Sequence, residues 1–263
     1  MKRTALMAAA AGAAFLIVIL ARFPARWAAG LLPHGTACAQ LGGTLWSGTC
    51  TGLLLDGMPL GDLSWSAHPL KLLAGKVSLS VALALPSGTA RALLTVSPTG
   101  ALTAQGVRAS LPLSRALFAQ LPPNTQGLVA IDLALLHFDG KRITALRGEL
   151  EVHGLTVQGE LLGDYRVSFP AESGGSIGAS TASVPGFGGD SAGAGAEPTG
   201  RLEDLGGPLA VQGTVRLTRE PGFVVAGLVA ARANAPRDIV EDIRFLGSPD
   251  VQGRRPFTVA ETF

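Results

Sequence analysis

Residues 77–85 read Val-Ser-Leu-Ser-Val-Ala-Leu-Ala-Leu, with a large apolar side chain at every odd position and a small one between. Successive side chains of an extended strand point to opposite faces, so this period of two marks a strand with one buried face. The pattern returns at 146–153, where charges occupy the open face, and at 209–218. Further strands are expected at 128–136, 155–160, 164–169, 223–231 and 256–260. Strands this frequent, polar on one side, describe an antiparallel sheet that is wet on one face. The composition agrees. Hydrophobic residues make up 47% of the chain but aromatic ones only 5%, and there are 35 Gly and 17 Pro. Such a supply favours many short strands joined by turns.

Two short helices are expected among the strands. Pro112 to Leu121 carries Leu113, Leu117 and Leu121 on one stripe, and Arg237 to Leu246 carries Ile239, Ile243 and Leu246. Each reads as a lid on the sheet. From 172 to 200 the chain is rich in Gly, Ser and Ala, the composition of a flexible loop. Because the strand pattern resumes unchanged after it, residues 31–171 and 201–263 read as two parts of one domain.

The N-terminus has a different character. Thr4 to Ala21 is an uncharged run between Arg3 and Arg22, and a helix of that length reaches about 27 Å against a hydrocarbon core of about 30 Å. Residues 1–30 therefore read as a membrane anchor with its span at about 4–21. A cleaved signal peptide is the rival, with Ala28-Ala29-Gly30 as the cleavage site, but Arg22, Pro24, Arg26 and Trp27 intervene. Lys2, Arg3 and the α-amino group against Arg22 and Arg26 favour a cytoplasmic N-terminus by a narrow margin. Cys38 and Cys50 flank a Gly-rich turn, and an even pair in an exported domain can form a disulfide; two buried free thiols are the alternative.

The formal net charge of +2 comes from this end of the chain. Lys2, Arg3, Arg22 and Arg26 precede the first acid, Asp56, and setting them aside leaves 17 of the 21 basic residues against 19 acidic ones. No basic footprint for nucleic acid remains.

Catalytic patterns are absent. His34, His68, His137 and His153 have no partner at metal-ligand spacing. Glu172-Ser173-Gly174-Gly175 resembles the surroundings of a serine nucleophile, but it opens the low-complexity stretch, which offers no rigid oxyanion site. The acid pairs Glu149/Glu151 and Glu241/Asp242 fall on expected exposed faces. There is no phosphate-binding loop, dinucleotide fingerprint or Cys-x-x-Cys. No catalytic, cofactor or metal site is expected.

One ordered set of motifs stands out: Gly43-Thr44-Leu45-Trp46-Ser47-Gly48, then Leu60-Gly61-Asp62-Leu63-Ser64-Trp65, then His68-Pro69-Leu70-Lys71-Leu72-Leu73-Ala74-Gly75. Gly163-Asp164-Tyr165, Gly207-Pro208-Leu209 through Gly213, and Leu246-Gly247-Ser248-Pro249-Asp250-Val251-Gln252-Gly253 follow. The set resembles the protein N family of the bacterial type II secretion system across most of the chain beyond residue 40. Physically, Gly43, Leu45, Trp46, Gly48, Trp65 and Pro69 read as folding signals. Gly43 and Gly48 bracket a turn, the two tryptophans supply apolar area to a core short of aromatics, and Pro69 starts a helical turn that docks Leu70, Leu72 and Leu73.

The resemblance implies a single-pass inner-membrane subunit with the bulk of the chain in the periplasm, no catalytic site, and other inner-membrane secretion subunits as partners. It also implies a bent, groove-forming sheet of the AsmA-like kind. That sheet suggests an alternative role, a membrane-tethered groove for lipid or another amphiphile.

Overall fold

The computed structural model describes residues 22–26, 35–113, 121–170, 197–218 and 222–262, with Gly12 and Ile19 and the backbone only of Leu73. Contacts divide the chain into two compact units, Met1–Thr99 and Gly100–Phe263. Among the described residues no helix is long and apolar enough to cross a membrane. The expected span at 4–21 lies outside them apart from Gly12 and Ile19.

The first unit is an antiparallel meander of β1 (Thr36–Gly43), β2 (Ser47–Leu55), β3 (Met58–Ala67), β4 (Val77–Leu85) and β5 (Gly88–Val96). The second holds β6 (Leu102–Pro112), β7 (Gln126–Phe138), β8 (Ile143–Val157), β9 (Glu160–Phe169), β10 (Thr199–Gly206), β11 (Leu209–Leu217), β12 (Gly222–Ala231) and β13 (Arg255–Thr262). Each pairs antiparallel with its sequence neighbour. In the second unit an α-helix, α1 (Arg237–Asp242), runs on into a 3-10 turn at Ile243–Phe245.

The lid expected at 237–246 is present. Ile239 is buried with Leu209, Val211 and Val229, and Ile243, Leu246, Leu162, Tyr165, Leu202 and Phe257 pack around them. This cluster is the hydrophobic core of the second unit. The helix expected at 112–121 does not begin at Pro112, which is the last residue of β6, and Leu113 donates its N–H to the Gly127 carbonyl in a further sheet-like bond. Residues 114–120 lie outside the described ones, as does most of the Gly/Ser/Ala-rich stretch, from 171 to 196. β10 begins at Thr199 and pairs with β9, so that stretch connects two adjacent strands.

The strand expected at 155–160 is corrected. β8 continues to Val157, and the chain reverses at Gln158-Gly159, with φ of 54° and 93°. Two successive positive φ values define the tight turn whose twist matches that of the flanking strands. Gly154, at φ 60°, inserts a bulge into β8 instead of ending it.

The hairpin β8–β9 repeats β2–β3 at a constant spacing of 102 residues. Gly52-Leu53-x-x-x-Gly57-x-x-Leu60-Gly61-Asp62 corresponds to Gly154-Leu155-x-x-x-Gly159-x-x-Leu162-Gly163-Asp164. Gly52 and Gly154 form equivalent bulges at φ 62° and 60°, and Asp56-Gly57 makes the same turn as Gln158-Gly159. In each copy the aspartate closes the bulge: Gly52 N–H donates to Asp62 Oδ1 at 2.9 Å, and Gly154 N–H to Asp164 Oδ1 at 2.6 Å.

The apolar face of β4 is also corrected. Leu79, Val81, Leu83 and Leu85 share one face as expected, but each is only half-buried and Val77 is exposed. The most buried residue of the strand is Ser78, at 1% exposure, on the opposite face, where its hydroxyl meets Thr95 Oγ1 at 3.0 Å. Alternation assigns residues to faces, whereas burial requires a second layer. Among the described residues of the unit, β4 meets only its neighbouring strands and the 3-10 turn that precedes it, so no second layer crosses the leucines.

Candidate functional site

Gly43, Leu45, Trp46, Gly48, Trp65 and Pro69 converge on one end of the sheet of the first unit. Gly43 closes β1 and Ser47 opens β2, joined by a turn in which Thr44 N–H donates to the Ser47 carbonyl at 2.8 Å. The Trp65 ring, on β3, lies over Gly48, its partner on β2, and its Nε1–H donates to the Leu45 carbonyl at 3.2 Å. Trp46 accepts the Ala67 N–H at its carbonyl, 2.6 Å away. Both tryptophans are half-buried and Leu45 is exposed, so they brace a sheet end and do not form a sealed core. The segment Phe23–Pro24 joins the same place, with Leu45 N–H on the Phe23 carbonyl at 2.9 Å and a bridge from Pro24 to Thr44. Cys38 and Cys50 are joined by a disulfide across β1 and β2.

Pro69 does start a helical turn, a 3-10 segment Pro69–Ala74 that ends at Gly75 with φ 69°. The expected docking of its leucines is overturned. Leu70 is 80% exposed and Leu72 40%, and the Leu73 side chain lies outside the described ones. A turn this short covers the start of β4 mainly through its backbone, as His68 N–H donates to the Ser78 carbonyl at 2.8 Å.

In the second unit the titratable groups form structural pairs. Arg166 bridges Glu151, at 2.6 Å, and Glu149, at 3.9 Å, across β8 and β9. The Arg166 hydrogen bond holds the Glu151 carboxyl below its ordinary range. Asp204 accepts the Val211 N–H at 2.9 Å and pairs with Arg232, whose other terminal nitrogen reaches the Gly207 carbonyl at 3.0 Å. Burial and then the Asp204 charge push the Tyr165 phenol up to about 12, so it stays protonated and donates to the Leu162 carbonyl at 2.6 Å. A phenol so held is neither base nor nucleophile at neutral pH. Glu241 and Asp242 lie exposed on α1.

The histidines do not meet. His68 contacts Ser80, His137 contacts Thr103 and His153 contacts Glu151, while His34 lies outside the described residues. No group of three or more His, Cys, Asp or Glu among the described residues could hold a metal ion. Glu172, Ser173, Gly174 and Gly175 lie outside the described residues.

One feature has the form of a recognition surface. Between α1 and β13 the chain displays Phe245 and Val251 almost wholly to solvent. The segment bearing them is held at both ends. Arg255 donates to the carbonyls of Arg244, Leu246 and Gly247, at 3.3, 3.2 and 2.9 Å. Asp250 accepts the backbone N–H groups of Gln252 and Arg254 and pairs with the Arg254 guanidinium at 2.9 Å. Beside it, β13 pairs only with β12 among the described residues, and Val259 to Thr262 are exposed on both faces. Ordered apolar side chains in water next to an open strand edge suit a protein partner. The motif 246–253 pointed to this segment in the sequence, but nothing local revealed that Phe245 stands outside the core.

The family model for type II secretion system (T2SS), protein N, matches residues 34–258. No curated protein and no solved structure matches the chain.

Proposed function

The chain belongs to the type II secretion system protein N family, an accessory part of that machinery, and from this premise we propose that it works by binding other subunits in the periplasm. The observation that carries the reading is the clamped segment with Phe245 and Val251 beside the open edge of β13. A partner would bury the two side chains in a pocket and extend the sheet by a strand, a common mode of recognition. Its N-terminal run Thr4–Ala21 anchors it in the inner membrane, with the N-terminus cytoplasmic. The Cys38–Cys50 disulfide supports an oxidising compartment for the rest of the chain.

A photoreactive amino acid at position 245, 251 or 259 of the full chain, activated in secreting cells, tests the binding surface. Cross-links to inner-membrane secretion subunits are expected from these positions. Cross-links absent there, with secretion unimpaired by Phe245→Asp, would sink the reading. Placement is tested by protease: the domain should resist in intact cells and be cut in spheroplasts.

A second reading, an amphiphile-binding groove, is favoured by the uncovered leucine face of β4. Native mass spectrometry from mild detergent decides it, since a chain without stoichiometric lipid would exclude that role.

A further inference from the structure

The first unit carries its charge unevenly. β1, β3 and β5 end, and β2 and β4 begin, at the end where Phe23–Pro24 meets Thr44–Leu45. The 3-10 turn Pro69–Ala74 links β3 to β4 at that same end. It therefore holds Arg22, Arg26, Lys71 and Lys76, all exposed, and no acid among the described residues. Neither lysine has an ion-pair partner among the described residues. Five exposed apolar side chains accompany them: Leu45, Leu70, Leu72, Val77 and Val96. The opposite end exposes Leu54 and Leu55 too, but the charge in its turns is Asp56, the wrong sign for an anionic surface. Arg91 sits between, opposite Ala82.

We propose that this basic, leucine-bearing end lies on the anionic surface of the bilayer, with Leu70 and Leu72 entering the headgroup–acyl boundary and Lys71 and Lys76 on lipid phosphates. The inference rests on the anchor assigned under Proposed function. Phe23, whose carbonyl is bonded to Leu45, follows the last residue of the apolar run, Ala21, by only two positions. Little chain is left to hold this end away from the membrane. Apolar side chains flanked by lysine are the composition of interfacial segments, since the aliphatic stem can lie in the apolar layer while the ammonium reaches phosphate. The exposure of Leu70, costly in water, is then an adaptation to a surface.

The test uses the full chain reconstituted in vesicles containing phosphatidylglycerol. Because its only two cysteines are joined, a thiol added by Leu70→Cys, or by Ser87→Cys in the β4–β5 turn at the far end, takes a fluorescent label selectively. With nitroxide-bearing lipids present, the label at 70 should lose most of its fluorescence and the label at 87 almost none. Adding Lys71→Glu and Lys76→Glu should restore much of the signal at 70. A chain that co-floats with the vesicles but shows no quenching at 70, or equal quenching at 70 and 87, overturns the surface and leaves the anchor standing. Quenching untouched by charge reversal overturns the phosphate contact. Failure to co-float overturns the anchor, and with it the surface that depends on it.

Discussion

The indole of Trp65 lies across Gly48 on the neighbouring strand, so that a Cβ at position 48 would come within 2.7 Å of Trp65 Cη2 and 2.5 Å of the Gly42 carbonyl oxygen. The glycine is what lets the ring lie across the neighbouring strand and place its N–H on the Leu45 carbonyl. The second unit uses the same device. Phe169 covers Gly200, where a Cβ would come within 2.8 Å of the ring.

Gly48→Ala should therefore destabilise the protein by about 1–3 kcal/mol, the usual cost of overpacking. Gly200→Ala should do the same by pressing on the buried Phe169 ring. Urea denaturation followed by tryptophan fluorescence reads the first directly. An unchanged midpoint would mean that the indole swings aside freely.

The repeated bulges give a paired prediction. Asp62→Ala and Asp164→Ala each remove the acceptor of a bulge N–H and should cost about 1 kcal/mol apiece. A Cβ on Gly154 meets nothing within 4 Å, so Gly154→Ala isolates the strain of its positive φ, about 1–2 kcal/mol. Gly154→Asn should be milder than Gly154→Val, since asparagine tolerates that conformation. Equal losses for the two would contradict the bulge geometry.

Three carboxylates of the second unit lie below their ordinary pKa. Arg166 lowers Glu151, and the backbone N–H groups of Arg142 and Lys141 lower Asp139. At Asp250 burial acts upward, but the Arg254 backbone, the Arg254 guanidinium and the Gln252 backbone outweigh it. A carboxylate with a depressed folded pKa binds protons more readily when unfolded. Its contribution is full above the unfolded pKa and is lost as pH falls through the folded one, here below about pH 4. Stability should drop on acidification through that window, and Glu151→Gln should flatten part of the drop.

Reducing the Cys38–Cys50 bond, or replacing both residues by serine, opens a loop with a sequence separation of 12. The loss should be about 3 kcal/mol on the chain-entropy argument. Thermal melts with and without reductant measure it, and a shift absent in the wild type would show that the bond contributes nothing.

Ile239→Ala empties the centre of the cluster formed with Leu209, Val211 and Val229. A loss of about 2–5 kcal/mol is expected, seen as faster amide exchange in β11 and β12. Protection unchanged in those strands would mean that α1 is not the lid described here.

Much of the fold was legible because its signals are local. The turn between Gly43 and Gly48, the helical turn after Pro69 and the stripe Ile239/Ile243/Leu246 each depend on a few adjacent residues. The 102-residue repeat was also present in the letters, but six identities in eleven are visible only when distant segments are compared. At Gly154 the local reading failed. A glycine inside an alternating run suits a strand end or a bulge equally well, and the Asp164 carboxylate ten residues away decided for the bulge. Leu70, Leu72, Phe245 and Val251 were readable as apolar, yet not as exposed.

By itself the sequence determined that this chain is a succession of antiparallel strands, because side-chain alternation and turn-forming glycines act within a hairpin. It also carried the family. Only the tertiary structure decided which apolar faces are covered: α1 seals Val211 and Val229, while Leu79, Val81, Leu83 and Leu85 stay half open. Alternation puts a side chain on a face, but burial depends on what crosses that face from elsewhere in the chain. Exposed leucines beside lysines, and a phenylalanine beside an open strand edge, are consequences of the second condition alone.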